Sequence, residues 1–325
     1  MYPNGIVYEA RKGKRTNTKE LFFKFIVETD NDLIEEAYKG KALKECRICG
    51  TKGDFDTYEC KEFLIGLRHN FLYFECSSCE TLQIDEYPND MRSFYNHNQY
   101  KYNKPDIKPI PKVAQQDKRM ILDVGCGNGQ WLCNLASSIG SVNLFGCDDV
   151  VLDKDIIYPN GVKLYNKSLY EMTGEYDVIM LNNSINRIIN PHEVFKSLKR
   201  LLKASNKDIS DVPKIQIITQ KFPNVAWDIF NIYWHQLNAP RHYYLYSEKS
   251  IKQLSRQYGL YVKEAKQIMS SYPIYLSRHY QADSVANIDY GFPNQQEFTN
   301  YFNLLSEMSK MVNKHDYVEY TIIHS

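Results

Sequence analysis

The run Ile121-Leu122-Asp123-Val124-Gly125-Cys126-Gly127-Asn128-Gly129 constrains the fold of this chain more than any other stretch. Residues suited to a buried strand are followed at once by glycines at alternate positions, and then by Leu132, Leu135, Ala136 and Ile139. Those apolar residues recur at i, i+3, i+4 and i+7, one face of a 3.6-residue period, and Gly140 stands where a helix stop is expected. The stretch reads as strand, tight turn and helix. Glycines at 125, 127 and 129 admit positive φ and carry no Cβ, so a ligand can lie against bare backbone at the helix N-terminus.

The alternation continues downstream. Residues 142–147, 162–165, 176–181 and 215–219 read as further short buried strands. Asn190-Pro191-His192-Glu193 gives an N-cap, a proline at N1 and a glutamate at N3, opening a helix that turns Val194, Phe195, Leu198, Leu201 and Leu202 inward. Ser247 caps another helix, which uses Ile251, Leu254 and Tyr258 and ends at Gly259, before a strand over 261–268. Residues 272–293 read as irregular, Phe298, Tyr301, Phe302, Leu305, Met308 and Val312 draw an amphipathic helix, and 317–323 make a last strand, in the place where folds of this kind insert an antiparallel strand near the sheet edge. Repeated strand-helix alternation predicts an α/β fold with a doubly wound, mostly parallel sheet.

Eight cysteines stand at 46, 49, 60, 76, 79, 126, 133 and 147, and two C-x-x-C pairs stand out among them. Cys46 with Cys49, and Cys76 with Cys79, can each sit on a tight turn and offer two thiolates to one ion. Four sulfurs give a closed tetrahedral site with no position left for water, so a structural Zn2+ is expected. Between the pairs, Phe63, Ile65 and Leu67, then Phe71 and Tyr73, alternate like short strands, which predicts a zinc ribbon over 46–90. Cys60 has no partner at ligand spacing and is expected in the core.

Formal net charge is +1. No apolar run is long enough to span a membrane and no signal peptide opens the chain, so a cytoplasmic protein is expected. A basic cluster at Arg11, Lys12, Lys14 and Arg15 tempts a nucleic-acid reading, but residues 1–45 carry nine Lys/Arg against eight Asp/Glu, which reads as a solvated face. Residues 46–90 carry four Lys/Arg against nine Asp/Glu, a net −5 with the wrong sign for a phosphate backbone. The expected organisation is a lead-in over 1–45, the ribbon over 46–90, a proline- and tyrosine-marked connector over 91–117, and a cofactor domain over 118–325 with a C-terminal helical insertion around 272–315.

The dinucleotide fingerprint G-x-G-x-x-G would need glycine at 130, where this chain has Gln130. G-x-G-x-G after Leu122-Asp123-Val124 instead resembles motif I of the class I S-adenosylmethionine (SAM) dependent methyltransferases. Together with Cys46/Cys49/Cys76/Cys79, Tyr95 and Tyr100, and Pro240-Arg241-His242 before a Ser-capped helix, residues 46–268 resemble the zinc-ribbon members of that class, which recur in bacterial sugar, polysaccharide and natural-product pathways. The resemblance implies a seven-stranded Rossmann-like sheet behind an N-terminal zinc ribbon. It implies SAM as cofactor and a sugar, nucleotide-linked sugar or other small hydroxylated metabolite as methyl acceptor.

Carried onto this chain, it places Asp123, Gly125, Cys126, Gly127, Asn128 and Gly129 at the cofactor turn. Asp148 comes first and Asp149 second for the ribose hydroxyls. Ser168 and Leu169 meet the adenine, Asn182 and Asn183 lie at a strand's carboxyl end, and Tyr95 and Tyr100 cover the ligand. Relatives commonly carry Glu-His a few residues before the Asn-Pro helix start, and this chain has Asn186-Arg187 there. His235 and His242, from a ring-rich loop, are then the candidate bases for an O- or C-methyl transfer, with Arg241 a candidate contact for an anionic part of the substrate. Two other readings stay open at this stage: an RNA base methyltransferase with a ribbon as substrate module, and a catalytically degraded SAM-binding partner or sensor. Oligomeric state is not written in these residues.

Overall fold

Two antiparallel hairpins made by the cysteine-bearing region come first in the computed structural model, which describes residues 43–95, 105–108, 118–140, 143–204, 212–269, 272–281 and 295–325. The basic cluster and Tyr100 lie outside the described residues. Strands β1 (Asp56–Lys61), β2 (Asn70–Glu75) and β3 (Leu82–Ile84) pair in sequence order. The strand expected around Phe63, Ile65 and Leu67 is not there. Glu62, buried at the end of β1, accepts the N–H groups of Ile65 at 2.9 Å and Leu67 at 3.0 Å, and so curls that stretch into a turn. Cys60 is fully buried, as expected.

The cofactor region builds an eight-stranded sheet. Its elements in chain order are β4 (Ile121–Val124), α1 (Gln130–Ile139), β5 (Leu144–Cys147), β6 (Ile156–Ile157), β7 (Lys163–Tyr165), β8 (Val178–Asn182), α2 (Pro191–Leu201), β9 (Lys214–Gln220), α3 (Val225–Phe230), β10 (Tyr244–Leu245), α4 (Glu248–Gln257), β11 (Leu260–Ile268), α5 (Tyr272–Gln281), α6 (Gln295–Val312) and β12 (Tyr317–His324). The order across the sheet is β11-β12-β9-β8-β4-β5-β7-β6. β9, β8, β4, β5 and β7 are parallel, whereas β12 runs antiparallel to both neighbours and the short β6 adds an eighth strand at the far edge. β4 is buried at every position, as a strand covered on both faces must be.

α1 ends on Gly140 at φ 66°, in the left-handed region that favours glycine. α2 starts at Pro191 as expected, but Asn190 does not cap it. It sits at φ 57° and makes no side-chain cap bond, so the missing N–H of proline does the work instead. Residues 272–281 form a helix, within the insertion expected as helical around 272–315 but in the part, 272–293, whose residues read as irregular. Pro273 is tolerated in the first turn, and Ile274 and Ser277, one turn apart, are fully buried.

β10 leaves the large sheet altogether. Tyr244 pairs with Gln83 and Leu245 with Leu82, so the segment before α4 supplies the fourth strand of the ribbon sheet, in the order β10-β3-β2-β1. Ribbon residues Tyr73, Phe74, Leu82 and Ile84 share one buried core with Phe222, Trp234, Tyr244 and Leu254. Glu45–Ser325 accordingly packs as one compact unit. No helix among the described residues is long and apolar enough to cross a membrane.

Candidate functional site

Each cysteine pair sits on the same kind of turn. Gly50 N–H donates to the Cys46 carbonyl at 2.9 Å and Glu80 N–H to the Cys76 carbonyl at 2.8 Å. Cys46 and Cys76 N–H donate to the Thr51 and Thr81 carbonyls at 2.9 and 3.0 Å. The four Sγ atoms of Cys46, Cys49, Cys76 and Cys79 all lie within 4.8 Å of one another, and two pairs approach to 3.5 Å. Sulfurs held ~2.3 Å from one tetrahedral ion have this spread. The Cys79 thiol, with help from the Ile48 N–H at 3.4 Å and the Gln83 amide at 3.2 Å, holds the Cys46 pKa low, at about 4, against the effect of burial. Donors aimed at sulfur favour the thiolate, which is the ligand form. The cluster is compatible with zinc.

At the carboxyl ends of β4, β5, β7 and β8 lies a cavity of about 380 Å³, within the range of small-ligand sites and at the edge where open parallel sheets collect ligands. Val124 and Gly125 form its floor, with Asp148, Asp149, Val150 and Val151 from the turn after β5, Ser168 and Leu169 from the turn after β7, and Ser184 and Arg187 from the turn after β8. Tyr95, Tyr170 and Tyr243 complete the wall. The three glycines have different tasks. Gly125, at φ +72°, lines the cavity, and a Cβ there would stand 2.5 Å from the Ser184 Cβ. Gly129, at φ +76°, is needed for packing, since its Cβ would meet Leu164 at 2.8 Å. Gly127 donates its N–H to Asp148 Oδ2 at 3.0 Å.

Asp148 is largely occupied with shaping the backbone. Its other oxygen accepts the N–H groups of Val150 at 3.0 Å and Val151 at 2.8 Å. Asp149 is more exposed and also lines the cavity. Asp123 is almost fully buried, its Oδ1 meets no partner among the described residues, and desolvation, with the nearby Asp148 charge, pushes its pKa up to about 8. Ser168 donates both N–H and hydroxyl to Glu171, at 2.9 and 2.7 Å. Cys126, Gly127, Asn128, Gly129, Asn182 and Asn183 do not line the cavity. Asn128 accepts the Gln130 N–H at 3.1 Å and Asn183 accepts from the Gln220 amide at 3.2 Å, so these residues hold the turns in shape.

The expectation for Arg241 is corrected. Its guanidinium is fully buried, pairs with Glu62 at 2.6 Å and donates to the carbonyl of Phe94 at 3.2 Å, so it braces the loop against the ribbon and is out of reach of an anionic substrate. His235 shares a hydrogen bond with the Tyr280 hydroxyl at 2.9 Å in a niche with Phe63 and Trp234, apart from the cavity lining, and burial presses its pKa to about 4. His242 Nδ1 lies 2.8 Å from the Gln236 carbonyl. A carbonyl only accepts, so Nδ1 carries the proton and Nε2 presents a lone pair, which meets no partner among the described residues. Burial first, and then the Arg187 charge, hold the His242 pKa well below the usual range, so the ring is neutral. Arg187, Lys167, Tyr170 and Tyr243 line the cavity and were not anticipated. The only hint was the place of Arg187 where relatives carry an acid-base pair.

A family profile described as a methyltransferase domain matches residues 95–265. The chain belongs to this methyltransferase family. The protein is a SAM-dependent methyltransferase with a Rossmann-like sheet. Among solved structures, the methyltransferase is similar to geranyl diphosphate C-methyltransferase from Streptomyces coelicolor A3(2), with 13% identity, a TM-score of 0.42, and 66% of this chain and 75% of that one covered. It is also similar to a cyclopropane synthase from Mycobacterium tuberculosis, with 12% identity, a TM-score of 0.41, and 67% and 80% covered. No curated protein sequence matches the methyltransferase.

Proposed function

We propose that this methyltransferase acts on a hydroxyl oxygen of a small acceptor, a sugar, nucleotide-linked sugar or comparable hydroxylated metabolite, with Zn2+ held structurally by Cys46, Cys49, Cys76 and Cys79. SAM, when bound, supplies an electrophilic methyl carbon on a positive sulfur. The protein's share is positioning, exclusion of water and removal of one proton. Gly125 admits the cofactor against bare backbone, Asp149 accepts the ribose hydroxyls, and Ser168 and Leu169 flank the adenine. Tyr95 covers the ligand, and Asp123 lies beneath the turn.

The observation that carries the acceptor class is His242. A neutral imidazole with an available Nε2 stands one residue from Tyr243, which lines the cavity. Such a lone pair suits a hydroxyl, whose O–H it can accept as a hydrogen bond and so orient the oxygen that is methylated. Arg241 is spent on Glu62, which leaves Lys167 and Arg187 as the cations that line the cavity among the described residues.

Calorimetric titration with SAM and S-adenosylhomocysteine, followed by methyl transfer from radiolabelled SAM to a panel of hexoses and nucleoside-diphosphate hexoses, tests this reading. Absence of cofactor binding by folded protein would end it. Asp149→Asn is expected to weaken S-adenosylhomocysteine binding about tenfold, the worth of a charge-assisted hydrogen bond. Asp148→Asn is expected chiefly to lower the unfolding midpoint, because its carboxylate is spent on backbone N–H groups.

A further inference from the structure

Behind the cavity wall, at the carboxyl ends of β8 and β9, several buried side chains hold hydrogen-bonding atoms that meet no partner among the described residues. They are Asn186 Nδ2, Gln220 Oε1, both amide atoms of Gln236, and His242 Nε2. None of these residues is more than 4% exposed. Buried polar groups are almost always paired, and a local concentration of exceptions calls for a reason. These residues form one connected group. The Thr219 hydroxyl donates to Asn186 Oδ1, the Gln220 amide lies 3.5 Å from the Tyr317 hydroxyl, and His242 bonds the Gln236 carbonyl. Asn186 and His242 each precede a residue that lines the cavity, Arg187 and Tyr243, and the Tyr243 N–H donates to the Asn186 carbonyl at 2.7 Å.

The orientation of each group is set by the bond it already makes. Asn186 spends its oxygen on Thr219, so its N–H group is the one left over. Gln220 spends its N–H group on Asn183, so its oxygen is left. His242 spends Nδ1, so a lone pair is left. With the Gln236 amide, which leaves one donor and one acceptor, the set is two donors and three acceptors, all uncharged. A carboxylate or phosphate, which only accepts, would face three lone pairs. An ammonium would stand beside Arg187. Hydroxyl groups both donate and accept, so two of them on neighbouring carbons suit a mixed set of this kind.

We propose that Asn186, Gln220 and His242 form the acceptor subsite of this methyltransferase and recognise two adjacent hydroxyls of an uncharged ring. The proposal rests on the hydroxylated acceptor argued above and adds which hydroxyls are read and by what. The acceptor enters past Tyr243 and Arg187 and supplies the hydrogen bonds that the free protein lacks.

The test uses the full chain, radiolabelled SAM, and glucose, galactose and mannose with their nucleoside-diphosphate forms and single-deoxy analogues. For a sugar that is methylated, Asn186→Asp and Gln220→Glu, which keep shape and reverse or charge one partner, are expected to raise KM at least about tenfold. Affinity for S-adenosylhomocysteine should stay as it is, which also reports that the variants fold. The penalty of each substitution should largely vanish with one particular deoxy analogue, as expected for a lost pair and not for general damage. The deoxy series on the unmodified protein gives the same information without any substitution. A methylated sugar whose KM is untouched by both variants and by every deoxy position overturns the subsite while leaving the hydroxylated-acceptor reading in place. Binding of S-adenosylhomocysteine with no transfer to any member of the panel overturns both.

Discussion

Asp123 bears the chemical strain of the cofactor turn. A carboxyl whose folded pKa of about 8 exceeds its unfolded value of about 3.9 holds its proton more tightly in the folded chain. It therefore stabilises the fold at acid pH, and that contribution is lost as pH rises through about 8. Between pH 5 and 8 the ligand-free protein is expected to lose thermal stability, and Asp123→Asn, which has no proton to surrender, to lose less. Unfolding midpoints for the two chains should diverge by more than about 2 °C, and parallel curves would remove Asp123 from the explanation. Its importance was legible in sequence because strand, turn and acid are contiguous. Arg241 shows the opposite case. Its place beside His242 in a ring-rich loop suggests a substrate contact, and its true partner, Glu62, lies 179 positions away in the chain. Replacing Glu62 by Gln leaves a buried guanidinium without its counter-charge, and chemical denaturation is expected to show a loss of about 3 kcal/mol or more.

Among the elements, the join between β4 and α1 is the least forgiving. Gly125→Ala meets the Ser184 Cβ at 2.5 Å and forces a side chain to positive φ. Affinity for S-adenosylhomocysteine should fall at least about tenfold, with about 1–2 kcal/mol lost to backbone strain alone. Adding Ser184→Gly removes the collision and leaves the strain, so the double variant should recover part of the loss. Unchanged affinity in Gly125→Ala would show that the approach of the two turns is unimportant. The parallel strands and both long helices beside them were readable because their apolar residues follow the period of the element. Helix α5 was not, since Pro273 and a run of tyrosines read as loop. Its burial comes through Ser277, whose hydroxyl accepts the His235 N–H at 2.8 Å, a contact with a distant loop that no local pattern announces.

At the scale of the whole molecule, the cysteine-bearing region and the cavity wall that carries Tyr243 are one construction. Gln83 donates to Cys46 Sγ, β3 pairs with β10, Tyr73 donates its hydroxyl to the His242 carbonyl at 2.8 Å, and the Ser247 hydroxyl donates to the Cys79 carbonyl at 2.5 Å. His192, at the start of α2, reaches the Ile48 carbonyl at 3.0 Å. Chelation of the proposed Zn2+ is therefore expected to unlock residues 82–85 and 241–247 in hydrogen exchange while β4, β5 and β8 stay protected. S-adenosylhomocysteine binding should change by less than about threefold while acceptor turnover is lost. Uniform exchange throughout the chain after chelation, or none, would separate the ribbon from the site. The two C-x-x-C pairs announced, from spacing alone, a four-cysteine cluster compatible with zinc. Its fusion with the loop before α4 depends on a two-residue strand that carries no periodicity to read.

That two-residue strand also sets an order of events during synthesis. When the ribbon leaves the ribosome, β3 has β2 on one side and nothing on the other, and the Tyr73 hydroxyl has no acceptor until His242 arrives 169 positions later. For that interval the nascent chain carries an open strand edge of the kind that pairs promiscuously with other chains. Translation halted between the ribbon and β10 should thus yield sticky, chaperone-bound fragments, and release should follow soon after Leu245 emerges.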